Sequence, residues 1–142
     1  MKPLKSFTVL GEPVEVLVDG QMTNGAFSVI TQTSPPGGGP PPHSHANEDE
    51  IFTAIDGDFE LFDGTAWHPL PQGSTTRALR GGVHSFRNSS GRHAKMQVII
   101  SPAGFEEYLE EISPLALPQD LDKLLQISAE YGITFAPSTD VG

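Results

Sequence analysis

Three histidines and one glutamate stand at spacings that let four metal-ligating side chains meet. His43-Ser44-His45 is an i, i+2 pair. On a strand such side chains leave the same face only ~7 Å apart, so both imidazoles can converge on one ion. Glu50 follows five residues after His45, an odd step that would send it to the opposite face of an unbroken strand. Asn47 and Asp49 suit a turn, and a turn or bulge over residues 46–49 returns Glu50 to the histidine face with Phe52 beside it. His84 comes much later, in GGVHSFRN, where His84, Phe86 and Asn88 share a face by alternation. Three imidazoles and a carboxylate form a borderline-soft set that suits Fe, Mn, Co, Ni, Cu or Zn better than Ca or Mg, which favour all-oxygen shells. His68, next to Trp67, and His93, in a Ser-Gly-Arg turn, read as surface residues. Glu48 and Asp49 are alternative bases that read as a solvated acidic turn.

The elements around these residues read as short strands joined by turns. Residues 34–42, SPPGGGPPP, can form neither a helix nor an interior strand, because prolines lack donors and glycines lack stiffness. The stretch reads as a rigid loop that sets up the His43–His45 strand. Phe7 to Val18 is strand-like and broken at Gly11–Pro13. Residues 26–33 alternate, with Phe27, Val29 and Thr31 on one side, and residues 94–100 place Met96, Val98 and Ile100 on one face. Residues 50–62 read as two strands of a hairpin around Asp56–Gly57. Further turns fall at Asp63–Gly64, Pro71–Gly73, Gly81–Gly82 and Ser90–Gly91. Turns every ~8–12 residues predict an all-β sandwich or barrel. The tail differs. Phe105, Tyr108, Leu109 and Ile112 have helical spacing, as do Leu121, Leu124, Leu125 and Ser128, with Gly132 as terminator. These read as amphipathic helices packed on the outside of the barrel, with a lid or a dimer contact as the functional alternative.

Composition narrows the function classes. The chain has 142 residues, enough for one domain with a real core, and 37% of them are hydrophobic, which suits a globular protein. Fifteen glycines and 13 prolines fit many turns better than long helices. A net charge of −10 argues against nucleic acid and against an anionic membrane surface, both of which need clustered Lys and Arg. There is no cysteine, hence no disulfide and no thiolate nucleophile. Glu12 and Glu15 interrupt the N-terminal apolar stretch before signal-peptide length, and no apolar run reaches the ~18 residues of a membrane span. The expected location is the cytoplasm.

The spacing of these residues resembles that of the cupins, small β-barrels marked by two motifs. The first runs glycine, five residues, His-x-His, three or four residues, Glu, six residues, glycine, and is filled by Gly37, His43, His45, Glu50 and Gly57. The second runs glycine, five residues, Pro-x-Gly, two residues, His, three residues, Asn. Gly73, Gly81, His84 and Asn88 fill it, with Leu79 where the turn-shaping proline is usual. The resemblance implies a jelly-roll (double-stranded β-helix) barrel over about residues 22–102, in which all four ligands point inward. A helical extension over about residues 104–135 would complete a single domain of residues 1–142. The resemblance also implies a homodimer. The tail beginning SPAGFEEYLEEI is similar to that of single-domain cupins described as quercetin-dioxygenase-like.

Four protein ligands leave open positions on a five- or six-coordinate metal, as a catalytic metal needs. With the resemblance to the quercetin-dioxygenase-like group, the expected activity is that of a metal-dependent dioxygenase-like enzyme acting on an enolisable, oxygen-rich aromatic (flavonol-like) or diketone substrate, with Glu50 as the base. Alternation nominates Phe27, Phe52, Phe86, Met96 and Val98 for the substrate pocket, with Val29 and Ile100 beside them. Two alternatives remain open: an isomerase or lyase on a small polar metabolite, and a non-enzymatic barrel that binds a small ligand. A sugar-phosphate isomerase should offer pocket cations. Only Arg77, Arg80 and Arg87 lie near the second motif, and Arg87 should point away from His84.

Overall fold

The computed structural model describes residues 2–137; Met1 and residues 138–142 of the expected domain lie outside the described residues. The chain opens with a hairpin, β1 (Lys5–Val9) and β2 (Glu12–Val18), turned at Leu10 and Gly11. Both turn residues have positive φ, 47° and 89°, the geometry that matches strand twist in two-residue hairpins. The break expected at Gly11–Pro13 falls at Leu10 and Gly11, with Pro13 inside β2. β3 (Ser28–Ser34) follows, then β4 (His43–His45), β5 (Asp49–Asp56), β6 (Phe59–Phe62), β7 (Trp67–Leu70), β8 (Thr75–Ala78), β9 (Ser85–Asn88) and β10 (Ala94–Ser101). The tail forms α1 (Phe105–Ile112), α2 (Leu121–Glu130) and β11 (Ile133–Phe135).

One sheet runs β1-β2-β3-β10-β5-β8 and a second runs β7-β6-β9, while β11 pairs with β4. β5 and β6 therefore belong to different sheets. The turn at Asp56–Gly57 is a corner that passes the chain between sheets rather than the hairpin its sequence suggests. Turn chemistry specifies a reversal, not the partner. Gly57 (φ 84°) is needed there because a Cβ would lie 2.6 Å from that of Ala94.

The inward faces form one core. On β10, Ala94, Met96, Val98 and Ile100 point inward as expected, and Glu50, Phe52 and Ala54 do so on β5. β3 puts the opposite face from that expected into the barrel, although Thr31 on the outer side is also buried, its Oγ1 donating to Glu15. Ser28, Ile30 and Ser34 are buried in the barrel, Phe27 is 39% exposed, and Val29 is half-buried on the outer side. Glu12 gathers the polar end of this inner face: its Oε1 accepts from Gln32 Nε2 (2.8 Å) and Ser34 Oγ (2.5 Å). On α2 the buried stripe is Leu124, Ile127 and Ser128, whereas Leu121 and Leu125 are exposed. Met96 is fully buried. Its replacement by Ala should lower unfolding free energy by about 2–5 kcal/mol through a residual cavity, read as a fall in the urea midpoint at unchanged slope. A loss under about 1 kcal/mol would show that the barrel collapses around the gap.

Candidate metal centre and cavity

The proline–glycine loop aims the first two histidines. Its Gly37 N–H donates to the Asn88 carbonyl and Gly38 accepts from the Asn88 N–H, both at 2.8 Å, so the loop runs along the end of β9. Glu12 Oε2 accepts the Gly39 N–H at 3.0 Å. A Cβ at Gly39 (φ 147°) would fall 1.9 Å from the Phe86 carbonyl oxygen, so only glycine permits this approach. Asn88 locks the far side by donating to the carbonyls of Ser34 and Arg92. Past the loop, His43 and His84 exchange two backbone hydrogen bonds of 3.0 and 2.8 Å, which holds their rings 4.5 Å apart.

The turn between His45 and Glu50 returns Glu50 to the histidine face as the odd spacing requires. Asp49 fixes it by accepting from the Arg80 backbone (2.8 Å) and pairing with the Arg80 guanidinium (3.2 Å) at the surface. His43, His45, Glu50 and His84 are all buried, and one ligand atom from each lies within 4.8 Å of the others. Each imidazole is turned by a contact at its outer nitrogen. His43 Nδ1–H donates to the Pro41 carbonyl (2.8 Å), His84 Nδ1 faces the Gly82 carbonyl (3.3 Å), and His45 Nδ1–H donates to the Glu48 carboxylate (3.0 Å). These tautomers leave three Nε2 lone pairs facing one another and Glu50.

That convergence is unfavourable unless a cation sits among the donors. His43 Nε2 and His45 Nε2 are 3.1 Å apart, and Glu50 Oε1 is 3.0 and 2.9 Å from His45 Nε2 and His84 Nε2. Glu50 Oε1 and His84 Nε2 are buried without a hydrogen-bond partner. Buried polar atoms left unpaired are rare and costly, and a shared cation would satisfy both. Burial, with the neighbouring His84, lowers the His43 pKa to about 4, so its ring is neutral and available as a ligand near pH 7. Burial pushes the Glu50 carboxyl up, but the surrounding imidazoles of His84, His45 and His43 outweigh it and hold it below its ordinary value. The four residues fit a divalent transition metal, with three imidazoles and one carboxylate as ligands.

Glu48 departs from the sequence reading. It is 9% exposed, not solvated, and backs His45 from outside the ligand set. Carboxylates in that position fix the ligand's ring and raise its basicity. Glu48→Ala should weaken metal binding by roughly 10–100-fold, with Glu48→Gln between the two because its amide oxygen still accepts the hydrogen bond. Competition titration with a chromophoric chelator measures this, and an unchanged affinity in Glu48→Ala would remove the role.

The cluster opens on a cavity of about 210 Å³. Phe52, Phe86 and Val98 line it, together with Ile30. Phe27 lies at the surface, while Met96 and Ile100 are buried in the core outside the lining. The tail contributes as well: Phe105, Tyr108 and Leu109 of α1, Leu124 of α2, and Phe135 of β11 also face the cavity. Among the described residues no Lys or Arg lines it. Arg87 points outward, stacked 3.9 Å over Trp67 and paired with Glu60. His68 pairs with Asp63 at the surface, and His93 is exposed.

The fold and the sequence now agree on a family. The cupin domain matches residues 30–100, half of the chain, and the chain belongs to that family. An RmlC-like cupin from Shewanella frigidimarina is similar in structure, with a TM-score of 0.62 and 13% identity over 72% of this chain and 87% of that one. A predicted oxalate decarboxylase from Thermotoga maritima is similar at a TM-score of 0.60 and 23% identity, covering 72% and 93%. A sugar phosphate isomerase of the cupin superfamily from Silicibacter pomeroyi is similar at 0.56 and 24%, covering 64% and 59%. No curated protein matches the chain by sequence. Among the described residues no helix is long and apolar enough to cross a membrane.

Proposed function

We propose that this cupin is a metal-dependent, dioxygenase-like oxidoreductase acting on a small, neutral, enolisable aromatic or diketone substrate. One observation carries the reading: His43, Glu50 and His84 of the cluster line a mainly apolar cavity in which, among the described residues, there is no Lys or Arg. An oxalate or a sugar phosphate would need cationic partners in the pocket, so this lining favours neither of those substrate kinds. A divalent transition ion bound by the four residues would supply Lewis acidity and open positions for an oxygen donor. The chain's own part is then definable. The apolar wall excludes water and orients the substrate body. Glu50, ionised and buried, takes the proton from the substrate carbon or hydroxyl. The enolate formed is oxidised by dioxygen, and both oxygen atoms end in the products, so no external reductant is required.

Oxygen consumption by iron-, manganese- and nickel-loaded protein with pentane-2,4-dione and with catechol tests the reading. Metal-dependent, saturable uptake supports it, and saturable binding without uptake in every metal form would favour a ligand-binding barrel. In this reading the enzyme is a cytoplasmic homodimer, with a sedimentation mass about twice the 15.2 kDa of the chain.

A further inference from the structure

The C-terminal segment is built as a fixed wall of the cavity, and its fastenings are numerous. β11 pairs with the ligand strand itself, Ile133 opposite His45 and Phe135 opposite His43. Backbone bonds flank that ladder on both sides, Ala46 N–H to the Gly132 carbonyl and Ala136 N–H to the Pro42 carbonyl, each 2.9 Å. Gly132 (φ 73°) lies so close to the turn before Glu50 that a Cβ would meet Asn47 Nδ2 at 2.7 Å. The buried Tyr108 hydroxyl and Ser128 Oγ, 2.7 Å apart, tie α1 to α2. Glu106 is buried with both oxygens engaged, by Gly104 N–H (2.8 Å) and Gly20 N–H (2.9 Å), which ties the start of α1 to the loop before β3. A segment so pinned behaves as a wall and not as a swinging lid.

This wall reaches the metal ligands. The Phe105 ring stands edge-on to the His45 imidazole at 4.7 Å and stacks on Tyr108 at 5.5 Å, and Phe135 lies 6.2 Å from the His43 ring. Phe105 is half-buried and borders the cavity beside the cluster, the position that decides how far a ligand body extends. The space left is about 210 Å³. That is below the roughly 300–1,000 Å³ of pockets for drug-sized ligands.

We propose that the C-terminal wall, with Phe105 as its specificity-determining residue, restricts this site to neutral oxygen-bearing compounds no larger than a single ring or a short diketone. A three-ring flavonol is thereby excluded. The proposal rests on the reading of the cluster as a metal centre but not on turnover. Zinc-loaded protein is redox-silent, so binding of catechol and of 2,3-dihydroxynaphthalene, measured by calorimetry, isolates size selection.

The wild-type protein is expected to bind the one-ring diol at least about tenfold more tightly than the two-ring diol, the scale on which a packed wall discriminates. Phe105→Ala is expected to bring the two affinities within about threefold at unchanged zinc content, and Phe105→Trp to weaken both. Leu109→Ala, on the same wall, serves if Phe105→Ala does not fold. A folded, zinc-replete Phe105→Ala protein with the wild-type ratio would overturn the proposal, as would a wild-type protein that binds the larger diol as well as the smaller or binds neither. Diol binding with the predicted selectivity but no oxygen uptake in any metal form would instead sink the dioxygenase reading and leave the wall intact.

Discussion

Glu50→Gln is expected to retain its metal at micromolar excess and to lose turnover by about 10²–10⁴-fold, the usual worth of a positioned general base. Three imidazoles remain, and the amide oxygen still offers a neutral donor where the carboxylate stood, so affinity falls without the site emptying. What disappears is the basic electron pair. In the wild-type protein burial works against the Glu50 carboxylate and the imidazoles of His84, His45 and His43 prevail, so the group is ionised and able to accept a proton at neutral pH. Elemental analysis beside oxygen-uptake rates separates the two effects. Wild-type turnover in Glu50→Gln would assign the base elsewhere. Glu48, the nearest alternative, is engaged by His45.

The double replacement His43→Ala/His45→Ala should reduce bound metal from about one per chain to near zero, because the one imidazole and one carboxylate that remain, His84 and Glu50, do not hold a divalent ion against buffer and water. The same protein should lose the stabilisation that metal confers on the wild type. At a free metal concentration a thousandfold above Kd, that linkage is worth about 4 kcal/mol and appears as a metal-dependent rise in Tm. The variant's Tm should be insensitive to added metal. If it still bound one equivalent and still responded, the ion would sit elsewhere on the chain.

Much of this site was legible in the sequence because its geometry follows from strand period. His43 and His45 share a face in any strand, and the odd step to Glu50 demanded the turn that Asp49 and Arg80 now brace. Arg87 faced away from His84 for the same reason. The failures share a different cause. The inner face of β3 carries Ser28, Gln32 and Ser34, so apolar alternation pointed to the wrong side, and the Glu12 carboxylate, from another strand, explains why Gln32 and Ser34 are tolerated there. Asp56–Gly57 marks a reversal whose partner strands depend on sheet assembly. Glu48 looked solvated because an acidic turn residue is usually exposed, and nothing in residues 46–49 shows that it folds back on His45 Nδ1. β11 spans Ile133–Phe135, too few residues to show a period, and its pairing with the histidine strand follows from the placement of α1 and α2.

The family match and the fold bound the chemistry without choosing it, since one barrel hosts many reactions and the site decides among them. Here the deciding features are the lone pairs facing one another, the absence of Lys or Arg from the cavity lining among the described residues, and the tail that limits its size.

X-ray absorption at the metal edge of freshly purified protein, quantified by elemental analysis, addresses the central claim most directly. The expected result is about one transition-metal ion per chain in a nitrogen/oxygen shell near 2.0–2.2 Å with outer-shell scattering from three imidazoles. Protein that holds no metal even after reconstitution, or an ion in an all-oxygen shell without imidazole, would contradict it.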